Sequence, residues 1–121
     1  GVFGDRREDG SPCCEAVYVD GVKNGTGRMF YRSGKVYAIE SWKDGVLDGP
    51  TTLYWESGAI QAVLSYRAGE LDGLAKEFFE NGQIEAELTW VAGKREGVCT
   101  LYDEAGNVTK REIYKDDSLV P

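Results

Sequence analysis

The sequence predicts an all-β protein, a single elongated antiparallel meander sheet built from five tandem 24-residue β-hairpin repeats. Three observations predict it. Aromatic residues recur at Tyr18, Trp42, Tyr66, Trp90 and Tyr114, a spacing of 24. Glycines keep the same period in three series: Gly10, Gly34, Gly58, Gly82 and Gly106; Gly21, Gly45, Gly69 and Gly93, with Asp117 in the fifth place; and Gly1, Gly25, Gly49, Gly73 and Gly97, with Pro121 on the next step. A fixed period of this length marks a repeat architecture. The 16 glycines suit many tight turns but not a helical bundle, where each interior glycine costs roughly 1 kcal/mol. Only three prolines interrupt the chain, so most backbone N–H groups remain available to a ladder.

One repeat domain over residues 1–121 follows, with copies at 1–24, 25–48, 49–72, 73–96 and 97–120. The middle copies agree best. Copy one has Arg6 and Arg7 where the others have aromatics, and copy five has Asp103. Degenerate outer copies are what capping repeats look like.

Each copy carries two turn signals. The first is Asp9-Gly10, Ser33-Gly34, Ser57-Gly58, Asn81-Gly82 and Ala105-Gly106. Asn-Gly between β-formers predicts a two-residue type I′ loop, with positive φ at both central residues. The second is of the Asp-Gly type, as in Asp44-Gly45. Between the turns lie stretches of about 6–8 residues, a normal strand length, so about ten strands are expected.

A two-residue loop sets the register. Trp55 should pair with Ile60, Leu53 with Ala62, and Thr51 with Leu64. In copy four the pairs are Phe79 with Ile84, Glu77 with Ala86, and Ala75 with Leu88; in copy two they are Tyr31 with Val36, and Met29 with Ala38. By the alternation of side chains these share an apolar face with Trp42, Tyr66 and Trp90. The other face carries Arg28, Thr52, Lys76, Gln61, Glu85 and Glu87, with its own row of Phe30, Tyr54, Phe78 and Tyr102. A single-layer sheet leaves its apolar face wet, and soluble monomers seldom expose contiguous apolar patches beyond a few hundred Å². Curling of the sheet, a second subunit in a homodimer, another domain or a partner protein should cover it.

At this point the chain resembles the MORN (membrane occupation and recognition nexus) repeat. The carrying residues are an aromatic, Gly three residues on, Gly four further, an aromatic pair and a closing Gly, as in Tyr66, Gly69, Gly73, Phe78, Phe79 and Gly82. This form looks like the bacterial, antitoxin-like variant, and the resemblance spans nearly the whole chain. It implies scaffold use: MORN arrays flank lipid kinases and lysine methyltransferases, organise membrane junctions and occur as stand-alone bacterial proteins. The bacterial form is associated with toxin neutralisation, including immunity proteins paired with secreted effectors, some of which attack phospholipids. The repeat has no catalytic residues to carry over.

The residues themselves point the same way. The absence of histidine removes the commonest general base and metal ligand, and no Ser or Thr has an evident activator. The expected assignment is therefore a binding protein and not an enzyme, without catalytic, cofactor or metal residues. Cys14 and Cys99 occupy small-residue positions of the repeat, equivalent to Ala38 and Ala75, and read as packing residues; Cys13 falls on the more polar face. No Cys-x-x-Cys spacing supports zinc. The acidic turns Asp44 to Asp48 and Glu70 to Asp72 lack the spacing of a calcium loop, and Asp beside Gly has its own reason in a turn.

The formal net charge of −7 argues against nucleic acid as a partner and against docking on anionic membrane. It favours a basic protein partner. Copy two has a balance of +1 and every other copy −2. The expected partner-binding residues are Tyr31, Trp55 and Phe79, the outer aromatics Tyr54 and Phe78, and the carboxylates Glu80, Glu85 and Glu87, which would meet Lys or Arg around a partner's active site. Aromatic residues of this kind serve both as cross-strand packing and as binding hot spots. The expected partner is a bacterial toxin or effector; a structural or targeting module of a larger protein and a lipid-binding module are the alternatives. An inhibitor of an envelope toxin would work in the periplasm, and a first residue other than Met permits a cleaved signal. A cytoplasmic antitoxin fits equally.

Overall fold

The computed structural model describes residues 1–121. Fourteen strands form one antiparallel sheet: β1 (Val2–Arg6), β2 (Pro12–Val19), β3 (Val22–Phe30), β4 (Val36–Lys43), β5 (Val46–Leu47), β6 (Gly49–Tyr54), β7 (Ile60–Arg67), β8 (Glu70–Leu71), β9 (Gly73–Phe78), β10 (Ile84–Val91), β11 (Lys94–Arg95), β12 (Gly97–Tyr102), β13 (Val108–Lys115) and β14 (Ser118–Val120). The main path runs β1-β2-β3-β4-β6-β7-β9-β10-β12-β13-β14 without a crossover, and β5, β8 and β11 pair only with β4, β7 and β10. The expected meander is present. The strand count exceeds ten because three return paths are broken in two, while β3 runs unbroken through its kink, and β14 begins a further one. In the third copy β8 follows the tight turn, and β9 resumes after Asp72.

The break has a cause in the chain. Trp42 pairs with Leu47, but Ile39 pairs with Thr52, so the returning strand carries two surplus residues. They are absorbed at Asp48 and Gly49; the Asp48 N–H donates to the Ser41 carbonyl at 2.9 Å. Gly49 takes φ +106°, and a Cβ there would stand 3.2 Å from the Ser41 Cβ. The glycine series 25, 49, 73 and 97 therefore marks the kink where the strand rejoins the sheet.

The type I′ turn expected of the first signal forms instead at the second. At Asp44-Gly45 both residues have positive φ, +50° and +84°, and Lys43 pairs with Val46. This is the type I′ turn, and it recurs at Asp20-Gly21, Ala68-Gly69, Ala92-Gly93 and Asp116-Asp117. The Asn-Gly series instead closes three-residue loops. The Trp55 N–H donates to the Ala59 carbonyl at 2.8 Å, and the Gly58 N–H to the Trp55 carbonyl at 2.9 Å. Only the glycine has positive φ, as in a type I turn followed by a left-handed residue. The residue before it is held by its own side chain: Asn81 Oδ1 accepts from the Gln83 N–H at 2.8 Å, and Asp9 Oδ1 from the Ser11 N–H at 2.9 Å.

The longer loop overturns the expected pairs at the hairpin tips. Ile60 pairs with Tyr54 and not Trp55, Ile84 with Phe78 and not Phe79, and Val36 with Phe30 and not Tyr31. A bulge between Leu53 and Tyr54 then takes up the single-residue shift, and the interior pairs Leu53 with Ala62 and Thr51 with Leu64 stand as expected. The faces of the sheet are thus preserved away from the tips.

Two continuous rows define the faces. On one, Asp5, Cys14, Met29, Ala38, Leu53, Ala62, Glu77, Ala86, Leu101 and Lys110 succeed one another across the strands. On the other the row is Glu15, Arg28, Ile39, Thr52, Val63, Lys76, Glu87, Thr100 and Arg111. The first is called the grooved face and the second the outer face. The buried hydrophobic residues are small ones of the grooved face: Ala16, Ala38, Ala62, Ala75 and Cys99, with Thr51 as the buried polar residue. The large residues beside them, including Trp42, Leu64, Tyr66 and Trp90, are half-buried.

Exposed apolar side chains occur on both faces: Phe3, Met29 and Leu119 register on the grooved one, as the expected apolar face requires, and others do not. Val19, Leu74, Val91, Val98 and Ile113, each about half exposed, register on the outer face. The grooved face partly covers itself, because its large residues lie over small neighbours.

Ala68 and Ala92 adopt φ of +51° and +49° in turns where other copies place Asp. The left-handed conformation costs an L-residue about 1–2 kcal/mol, and the extra chain freedom of glycine costs about 0.5–1 kcal/mol in return. Ala92→Gly is therefore expected to stabilise the fold by roughly 0.5–1 kcal/mol, read as a rise in the urea midpoint. Gly82→Ala, at φ +90°, should lower it.

Candidate functional site

The hairpin loops line one long edge of the sheet, and the expected binding residues gather there unevenly. Trp55, Phe79, Glu80 and Glu85 line one shallow pocket of about 520 Å³ together with Asn81 and Glu104. Tyr31 stands one repeat before Trp55. Its hydroxyl donates to the Tyr54 carbonyl at 2.6 Å, and its ring meets Tyr37 edge-on with centroids 5.1 Å apart. Tyr54 and Phe78 sit one residue inward, paired with Ile60 and Ile84. Glu87 lies apart from the loop-edge carboxylates, opposite Lys76, and accepts the Tyr102 hydroxyl at 2.7 Å. The structure thus brings Trp55, Phe79, Glu80 and Glu85 together and leaves Tyr31, Glu87, Tyr54 and Phe78 outside that pocket.

The grooved face holds two further concavities that the sequence reading missed. One, of about 350 Å³, is lined by Phe3, Tyr18, Met29 and Trp42 with Asp5, Glu40 and Lys23. Lys23 Nζ lies 4.4 Å from the centre of the Trp42 ring, a cation–π contact. A Cβ at Gly27 would stand 2.9 Å from Trp42 Nε1, so the indole lies across the space that glycine leaves. The other, of about 430 Å³, has Ala75, Ala86 and Cys99 among its lining, with Leu64, Leu88, Leu101, Trp90 and Tyr114 around them. Arg95 stacks 4.4 Å from the Tyr114 ring centre and bonds Asp117 at 2.6 Å. The signal for both was present in the period: Gly27, Thr51, Ala75 and Cys99 recur every 24 residues, and small side chains flanked by large ones make a trough.

Titration behaviour follows from these contacts. Burial pushes the Cys99 thiol up; burial and the neighbouring Cys13 push up Cys14. Both thiols are correspondingly weaker nucleophiles. Burial raises the Tyr31 phenol first, followed by Tyr37 and the charges of Glu56 and Glu80. The hydrogen bond to Glu87 raises Tyr102. The hydrogen bonds from Arg95 hold Asp117 below the usual carboxylate range.

The geometric repeat is a hairpin running from one type I′ turn to the next. A family model described as a MORN repeat variant matches residues 23–44, 71–92 and 95–116, each such a hairpin. The chain belongs to the MORN-repeat family. A second model, described as the MORN repeat, matches residues 41–60. Residues 1–22 lie outside both matches. No curated protein matches the chain. MORN-repeat proteins are generally non-catalytic modules for protein or membrane binding.

Two pH effects follow. The folded pKa of Asp117 is depressed, so its contribution is complete above the ordinary carboxylate range and lost as pH falls through its folded value. Asp117→Asn should remove part of the acid-side loss of stability measured by denaturant titration. The folded pKa of Tyr102 is raised, so its contribution is complete below the ordinary tyrosine pKa of about 10 and lost as pH rises. In Glu87→Gln, Tyr102 should ionise at lower pH than in the parent, read by ultraviolet difference titration.

Proposed function

We propose that this MORN-repeat chain is a non-enzymatic immunity or antitoxin protein that binds a bacterial toxin or secreted effector and occludes its active site. The observation that carries this reading is the surface left open by a one-layer fold. The accessible area is 7568 Å² for 13.3 kDa, against roughly 6,450 Å² for a compact monomer of that mass. The surplus, on the order of 1,000 Å², resembles the area of about 800 Å² that one partner contributes to a stable complex. The aromatic and acidic loop edge supplies a docking patch of the composition that hot spots favour.

The test is titration of the purified chain against toxins encoded beside its gene. A stoichiometric complex with loss of toxicity is expected. Trp55→Ala and Phe79→Ala should each weaken it by about 2 kcal/mol, roughly thirtyfold. Binding of none of those toxins would sink the reading. Full affinity in both variants would move the docking surface away from the loop edge.

One observation favours a membrane reading instead. The outer face sets Arg28, Lys43, Arg67, Lys76, Arg111 and Lys115 among exposed valines and Ile113, and each basic side chain near an anionic leaflet contributes about 1 kcal/mol. The net charge of −7 opposes it. Flotation with phosphatidylserine vesicles at physiological salt is expected to leave the protein unbound; recovery in the lipid fraction would favour the membrane reading.

A further inference from the structure

The loop edge repeats a chemical unit at a fixed pitch. Successive copies are two strands apart, about 10 Å at the usual strand spacing. The first loop residue is Glu8, Arg32, Glu56, Glu80 and Glu104 in turn, so the last three loops present a carboxylate each. Trp55 and Phe79 stand at the bases of two of these loops and wall the pocket that Glu80, Glu85 and Glu104 border. Hydrogen bonds occupy the side chains of Asp9, Asn81 and Asp103. Those of Glu56, Glu80, Glu85 and Glu104 take part in none of the side-chain hydrogen bonds or ion pairs. The Trp55 Nε1–H has no partner either. The loop cations Arg32 and Lys35 belong to copy two. From copy three onward the edge is therefore anionic, with its glutamates uncompensated, and copies three and four add the rings of Trp55 and Phe79.

We infer that this edge binds an extended basic segment of a protein partner, seating one Lys or Arg side chain per repeat. A cation over the Trp55 or Phe79 ring is attracted by the ring and bonded by the glutamate of the adjoining loop. In a polyproline segment three residues make one turn and span about 9 Å, which matches the repeat pitch and keeps every third side chain on one side. Basic residues at every third position would therefore align with Glu56, Glu80 and Glu104. Phosphate-bearing ligands are repelled by the same carboxylates. This inference rests on the protein-binding reading above and names the chemistry of its partner.

The test uses the full chain and synthetic Lys-Pro-Ser peptides with lysine at every third position. Controls carry the same number of lysines at every second position. Binding is followed by calorimetry at two salt concentrations. The every-third peptide is expected to bind about tenfold tighter than the control, and to weaken as salt rises. Glu80→Gln should weaken it several-fold, and the combined Glu56→Gln, Glu80→Gln and Glu104→Gln variant should lose it. Glu77→Gln, on the grooved face, should not change it. Equal affinity for both spacings, or undiminished binding by a triple variant with unchanged circular dichroism, would overturn the inference. If the peptide fails while a neighbouring toxin still binds, the inference falls and the immunity reading stands. If the peptide binds and every toxin fails, the immunity reading falls alone.

Discussion

Everything in this fold depends on large side chains lying over small ones across neighbouring strands. A single sheet has no second layer to cover its core, and no large side chain in this protein is fully buried. Trp42 lies across Gly27, and Ser41 packs against the open side of Gly49. The buried positions are filled by alanine, glycine, cysteine and threonine, because a small residue can be covered by strand neighbours alone. Cross-strand contacts of this kind contribute about 0.2–1 kcal/mol each, so stability accumulates by repetition.

Backbone bonding supplies the rest of the continuity. The chain makes 74 backbone–backbone hydrogen bonds, close to the roughly 80 expected of a chain this long. The ladder is therefore nearly as complete as in a protein with a closed core. Copies are also stitched at the type I′ turns: the Gly45, Gly69 and Gly93 N–H groups donate to the carbonyls of Lys23, Leu47 and Leu71. Each turn thus leans on the strand that follows the preceding turn, and the array propagates by nearest-neighbour contact.

This construction separates three surfaces with different chemistry. The grooved face is partly self-covered and apolar. The outer face exposes aliphatic residues and basic side chains, and the loop edge gathers aromatic rings and unpaired carboxylates. A net charge summed over the chain conceals this division, since Arg28, Lys76 and Arg111 share one row while Glu56, Glu80 and Glu104 occupy the loops. A binding module with such segregated faces can engage a partner on one surface without rearranging the others.

The repeat period, the all-β meander and the division into two faces were legible in the sequence, because alternation and a 24-residue recurrence are local properties of the chain. The interior pairs, such as Leu53 with Ala62 and Ala75 with Leu88, followed from the same alternation. The hairpin tips did not follow, since Asn-Gly serves either a type I′ turn or the end of a three-residue loop. Only the pairing of Ile60 with Tyr54, and the bulge beside it, decides between them. The candidate site was legible as residue types: aromatics and glutamates at repeat positions. Tertiary structure decided that Trp55, Phe79, Glu80 and Glu85 share a pocket while Glu87 is occupied by Tyr102. That outcome depends on the stacking of one loop on the next across strands, which no single repeat encodes.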